Sequence, residues 1–125
     1  MLLIGCLYLI CCFNLKKKKI EQYLKDRNGD LSGFDELLSD YLNGSLKSFF
    51  TELGMTKIQI YITWLKEYKC IDLQGRYNGN YVDIQIDEAG FEIAVDSDEP
   101  DIYDSYKLVS KNNVYSICGN YLKNF

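Results

Sequence analysis

Beyond Cys70 the sequence changes period. Tyr81-Val82-Asp83-Ile84-Gln85-Ile86-Asp87 alternates strictly, with Val82, Ile84 and Ile86 on one side and Tyr81, Asp83, Gln85 and Asp87 on the other. That is the repeat of a strand with one dry and one wet face. Asn78-Gly79 stands immediately before it. A type I′ turn needs positive φ at both central residues, so Asn-Gly between alternating segments predicts a hairpin of Cys70 to Tyr77 with Asn80 to Asp87. Glu88-Ala89-Gly90 then turns the chain into Phe91 to Asp96, where Phe91, Ile93 and Val95 alternate inward as a third strand. Asp96 to Asp101, with Pro100, reads as a loop, and Ile102 to Val109 as a fourth strand.

Helical signals flank this meander. Lys16 to Arg27 places Ile20, Tyr23 and Leu24 at helical spacing and ends at the turn Asn28-Gly29-Asp30. Ser32 is placed to cap a second helix, with Asp35 and Glu36 opposing its dipole and Phe34, Leu37, Leu38, Tyr41 and Leu42 forming a stripe. Asn43-Gly44 closes it. Ser45 starts a short third helix with Leu46, Phe49, Phe50 and Leu53, which Gly54 terminates. Lys57 to Tyr68 fits two periods. Ile58, Ile60, Ile62 and Trp64 alternate as a strand would, while Thr56-Lys57-Ile58-Gln59 fits a capping box; the cap, the preceding Gly54 and Trp64-Leu65-Lys66-Glu67-Tyr68 favour a helix, which is the reading adopted. A final helix follows Ser110 or Asn112, carrying Val114, Ile117, Cys118, Tyr121, Leu122 and Phe125. Helices, an antiparallel meander of three or four strands and a covering C-terminal helix make an α+β fold. A chain of 125 residues, 47% hydrophobic and 14% aromatic, has enough apolar surface for one core and is excluded from the disordered class. The expected organisation is an apolar segment over residues 1–15 and a single α+β domain over 16–125.

Charge is distributed unevenly. Residues 1–53 hold seven bases and seven acids, whereas residues 54–125 hold seven bases and eleven acids. Between Tyr77 and Tyr106 nine acids, Asp83, Asp87, Glu88, Glu92, Asp96, Asp98, Glu99, Asp101 and Asp104, occur without one Lys or Arg. Such a block repels phosphate backbones and attracts cationic partners, unless it is simply a solvated face. The acids are interleaved with Tyr77, Tyr81, Phe91, Tyr103 and Tyr106, pairing long-range steering with aromatic anchors. The expected partner-binding set is Asp83, Asp87, Glu92, Asp96, Asp98, Glu99, Asp101, Tyr103 and Asp104, and the expected partner is a basic protein.

Leu2 to Phe13 carries no charge and precedes Lys16 to Lys19. As a helix it spans roughly 20 Å, short of the about 30 Å of a hydrocarbon core, and its lysines follow the apolar run where a secretory signal has them first. Three readings stay open: a core element of the domain, a segment contacting a membrane, and a misplaced start codon or truncated upstream region. The five cysteines, Cys6, Cys11, Cys12, Cys70 and Cys118, show neither a disulfide framework nor paired zinc spacing, so reduced thiols in the cytoplasm are expected.

Other chemistry is thinly represented. Asp26-Arg27-Asn28-Gly29-Asp30 matches the opening of a calcium loop, but Leu31 stands where its glycine belongs and Leu37 where its glutamate belongs. Asp96, Asp98, Glu99 and Asp101 match no cation loop. No histidine is present to activate Cys70 or Cys118, and carboxylates such as Asp83, Asp87 and Glu92 on a wet strand face ordinarily titrate normally. Neither an enzyme nor a cofactor is expected. The alternative function is a winged helix-turn-helix over Ser45 to Asn80, its recognition helix beginning with Lys57, Gln59 and Tyr61; the would-be wing carries only Arg76.

From Trp64 through Gly75-Arg76-Tyr77-Asn78-Gly79-Asn80-Tyr81-Val82-Asp83-Ile84-Gln85-Ile86-Asp87 to Gly90-Phe91-Glu92-Ile93, and again at Val114-Tyr115-Ser116-Ile117 and Tyr121-Leu122, the chain resembles small immunity proteins of bacterial polymorphic toxin systems. About half the chain is covered. The resemblance implies a cytoplasmic inhibitor that binds one cognate toxin, often a basic nuclease, and occludes its active site.

Overall fold

The computed structural model describes residues 16–96 and 103–125. Leu2 to Phe13 and the acids Asp98, Glu99 and Asp101 lie outside the described residues. The chain divides into two compact units, Met1–Leu31 and Ser32–Phe125, whereas composition alone suggests a boundary after residue 15. In the first unit residues 16–26 form helix α1, where Arg27 donates to the Tyr23 hydroxyl and lies over its ring. Asn28 and Gly29 take left-handed φ of 53° and 85°, which ends the helix at the expected turn. Asp26 accepts from Gln22 at 2.7 Å.

In the second unit the capping signals act as expected. Helix α2 spans Gly33–Asn43 behind a reciprocal box in which Asp35 N donates to Ser32 Oγ at 3.3 Å and Ser32 N to Asp35 Oδ2 at 3.2 Å. Helix α3 covers Ser45–Leu53 and ends at Gly54. Helix α4 covers Lys111–Leu122, and Ser110 Oγ accepts from Asn113 N at 3.2 Å. Phe34, Leu37 and Leu38 of α2, Leu46 and Phe50 of α3, and Val114, Cys118 and Leu122 of α4 are buried, while Phe125 stays largely exposed. The rings of Phe49 and Tyr115, 4.2 Å apart, join α3 to α4.

Five strands form one antiparallel sheet in sequence order: β1 Thr56–Trp64, β2 Lys69–Tyr77, β3 Asn80–Asp87, β4 Gly90–Val95 and β5 Asp104–Lys107. The α+β layout is therefore as the sequence implies, with one strand more than the three or four expected. That strand is β1, in the stretch read as a helix from Lys57 to Tyr68. Its local cap is overruled by pairing: Ile60 stands opposite Leu73 and Ile62 opposite Ile71, so β-branched residues bury against β2 at a two-residue period. Lys57, the first residue of the supposed helix, takes a φ of 54° at a register shift between Thr56 and Gln59.

Register then sorts the side chains. Ile71 and Leu73 of β2, Val82, Ile84 and Ile86 of β3, and Phe91 and Ile93 of β4 are buried on one face, each contributing about 1.5–3 kcal/mol relative to exposure. The opposite, outer face carries Gln59, Tyr61, Asp72, Gln74, Arg76, Tyr81, Asp83, Gln85 and Glu92. Asn78 and Gly79, with φ of 50° and 84°, build the predicted β2–β3 turn. At β4 a Cβ on Gly90 would come within 2.5 Å of the Tyr106 carbonyl oxygen, so only glycine lets β5 approach there. Among the described residues no helix is long and apolar enough to cross a membrane.

One polar contact ties the helices together. Buried Asp40 of α2 accepts from the Tyr115 hydroxyl at 2.7 Å and from Lys111 Nζ at 3.4 Å, both on α4. Burial and the neighbouring Asp40 raise the Tyr115 pKa, holding the hydroxyl protonated as the donor. A hydrogen bond to a buried charge contributes about 1.5–3 kcal/mol. Tyr115→Phe is accordingly expected to lower stability by about 1–2 kcal/mol, since Lys111 continues to hold Asp40; urea unfolding of the two proteins reads the difference.

Candidate functional site: the outer face of the sheet

Two-residue alternation brings acids from three adjacent strands to one open surface. Asp72 faces Gln85 and Gln74 faces Asp83 across β2 and β3, so the two aspartates are diagonal neighbours; Glu92 of β4 faces Gln85 from the other side. Asp83, Gln85, Glu92 and Ala94 line a recess of about 190 Å³ with Tyr103. Alanine as a neighbour of Asp83 leaves room that a larger residue would fill.

The β2–β3 register sets Asp72 and Asp83 diagonally beside each other, and Gln74 Nε2 donates to Asp72 Oδ2 at 3.2 Å. Oδ1 of each aspartate is shielded from solvent and has no donor among the described residues. Partial burial is the largest cause raising the Asp83 carboxyl to about 7, followed by its hydrogen bond to Asp72 and the charges of Asp72 and Glu92, against which a hydrogen bond from Gln85 pulls down. The expectation that acids of this strand titrate normally fails at Asp83, because partial burial first, and then the second carboxylate that strand pairing sets beside it, disfavour the anion.

The sign of the resulting pH dependence follows directly. Between about pH 4 and 7 folded Asp83 keeps a proton that the unfolded chain, at its ordinary value of 3.8, has released. Stability therefore falls as pH rises through this window. Asp83→Asn is expected to flatten that decline and to stabilise the protein at pH 8 by about 1–2 kcal/mol after allowance for solvent screening of this half-buried group. Thermal unfolding of both proteins from pH 4 to pH 8 provides the comparison.

The remaining expected site residues are placed differently. Asp87 ends β3 and its Oδ1 accepts from Ala89 N at 2.8 Å and Gly90 N at 2.9 Å, so it caps the β3–β4 turn. It also lines, with Tyr68, Glu92 and Lys107, a larger recess of about 470 Å³. Asp96 takes a φ of 40° and accepts from Tyr81 N at 2.6 Å, closing the end of β4. Asp104 stands opposite Ile93 and is thus on the helix side of the sheet. Its assignment to the same surface is corrected: the nine-acid block does not form one face. The aromatic set divides likewise. Phe91 is core, Tyr106 stacks on it at 5.3 Å and Tyr77 is half-buried, whereas Tyr81 and Tyr103 remain 39% and 49% exposed.

Sequence reasoning missed Asp72 and the role of Tyr61, which is 51% exposed and faces Asp72 from β1. The signal was present in β2, where Asp72 alternates with Ile71 and Leu73, but the lysine-free and arginine-free block begins at Tyr77. The winged-helix alternative is left without its recognition helix, since Lys57, Gln59 and Tyr61 belong to β1, and Arg76 lies over the Tyr81 ring at 5.6 Å. Among the described residues no three acids, cysteines or histidines converge to hold a metal ion. Cys70 and Cys118 are buried free thiols, and burial is the main cause raising both pKa values. No family model, curated protein or solved structure matches the chain.

Proposed function

We propose that this protein is a binding module of the immunity type, which docks a basic toxin on the outer face of its sheet and blocks that toxin's active site. The observation carrying this reading is the open patch formed by Asp72, Asp83 and Glu92 with Tyr61, Tyr81 and Tyr103. Strands β3 and β4 contain no Lys or Arg. Acids speed encounter with a cationic partner, and exposed tyrosines supply rigid contact area that slows release. Buried, free Cys70 and Cys118 fit a reducing cytoplasm, and the module acts by occupying a surface, with no reaction of its own.

The test is co-expression with the product of the reading frame beside its gene. Protection from that product's toxicity, together with a stoichiometric complex weakened by combined Asp72→Asn, Asp83→Asn and Glu92→Gln substitution, supports the reading. A neighbour that is neither toxic nor bound, or a complex indifferent to the three substitutions, contradicts it.

A further inference from the structure

We propose that the larger recess of the outer face is a binding site for a free α-amino acid, its ammonium held by Asp87 and Glu92 and its carboxylate by Lys107 and Ser105. The site lies beside the docking patch and goes beyond that reading, sharing only Glu92 with it. The recess has a volume of about 470 Å³, within the range of about 300–1,000 Å³ usual for small-molecule sites.

Strand register builds the recess. On the outer side of β4, Gly90 and Glu92 stand opposite Lys107 and Ser105 of β5. On the other flank Asp87 ends β3, its Oδ1 accepting from Ala89 N at 2.8 Å and Gly90 N at 2.9 Å. Gly90 has no side chain, so an acid and a base face each other across a gap in the sheet surface. Neighbouring strands lie about 4.8 Å apart, which sets Asp87 on β3 and Lys107 on β5 about 9–10 Å apart at the backbone. The two amide donors fix the Asp87 carboxylate on its own side. Among the described residues neither Asp87, Glu92 nor Lys107 enters an ion pair.

These three charges select the ligand. A simple cation is opposed by Lys107, and a simple anion by Asp87 and Glu92. A molecule carrying both charges on adjacent carbons suits all three. Its ammonium nitrogen and carboxylate oxygens are about 3 Å apart by covalent geometry, and a charge-assisted hydrogen bond of about 2.8 Å at each end brings the span to about 9 Å. That matches the gap over Gly90. Tyr68 lines the same recess and is exposed, offering a ring against which an apolar ligand side chain packs.

Titration of the ¹⁵N-labelled full chain with L-phenylalanine tests the site. Binding with a Kd of about 1 mM or tighter is expected, with amide shifts centred on Gly90, Glu92, Ser105 and Lys107. Two analogues keep the ring and lose one charge: 2-phenylethylamine has no carboxylate and 3-phenylpropionate no ammonium. Each is expected to bind about tenfold more weakly, because one charged hydrogen-bonded end is missing. Lys107→Met is expected to weaken phenylalanine about tenfold without weakening phenylethylamine, and Glu92→Gln to weaken phenylalanine without weakening phenylpropionate. Equal binding of all three compounds makes the recess an apolar slot and overturns the assignment. Shifts centred elsewhere, or none at about 10 mM phenylalanine, overturn it as well. Each of these results leaves the docking of a basic partner standing, since that is read with Asp72 and Asp83.

Discussion

Phe91→Ala is expected to lower stability by about 3–5 kcal/mol, a large share of the total for a domain of this size. Phe91 is buried on β4, pairs with Ile86 across to β3 and stacks on Tyr106 of β5 at 5.3 Å. Its removal opens a cavity at the position where a four-residue edge strand is held to the sheet. Backbone pairing on the same stretch is already tight at Gly90, so little movement is available to close the gap. Urea unfolding followed by tryptophan emission measures the loss, and amide exchange is expected to rise first in Asp104–Lys107. A cost below about 1 kcal/mol would mean that Phe91 does not close the core.

Neutralising Asp72→Asn, Asp83→Asn and Glu92→Gln together is expected to slow association with a deca-arginine peptide about tenfold at low salt and pH 8. Three charges are lost from a surface where β3 and β4 place no Lys or Arg, and steering of this kind commonly changes association rates by about 10–10³. The difference is expected to shrink in 0.5 M salt, where screening shortens the reach of each charge to about 4–5 Å. Stopped-flow association at several salt concentrations gives both numbers. Equal rates for the two proteins would remove these acids from the encounter.

The elements legible in the sequence were those whose determinants are local. Asn78-Gly79 specifies its own turn, Ser32 and Ser110 supply their own caps, and the alternation of Val82, Ile84 and Ile86 reads directly as a strand with one dry face. Strand β1 was not legible because its decisive partners, Ile71 and Leu73, come after a turn, whereas the Thr56-to-Gln59 cap is visible in four residues. The acidic surface was half legible for a related reason. Period two places Asp83 and Asp87 on one side and predicts the same for Glu92 once β4 is aligned, but the side taken by Asp104 depends on the register of β5 against Ile93. Asp72 lay outside the base-free block in sequence and inside the patch in space. Its consequence for Asp83 is a property of the β2–β3 register, which shows only when the strands are paired.

Chemical-shift mapping of the ¹⁵N-labelled protein with the deca-arginine peptide at pH 8 tests the docking surface most directly. The largest changes are predicted at Tyr61, Asp72, Gln74, Tyr81, Asp83, Gln85 and Glu92. Changes centred instead on the helix side, at Asp40, Lys111, Asp104 or Tyr121, or no changes at all, would contradict the assignment of the outer sheet face as the place where a basic partner binds.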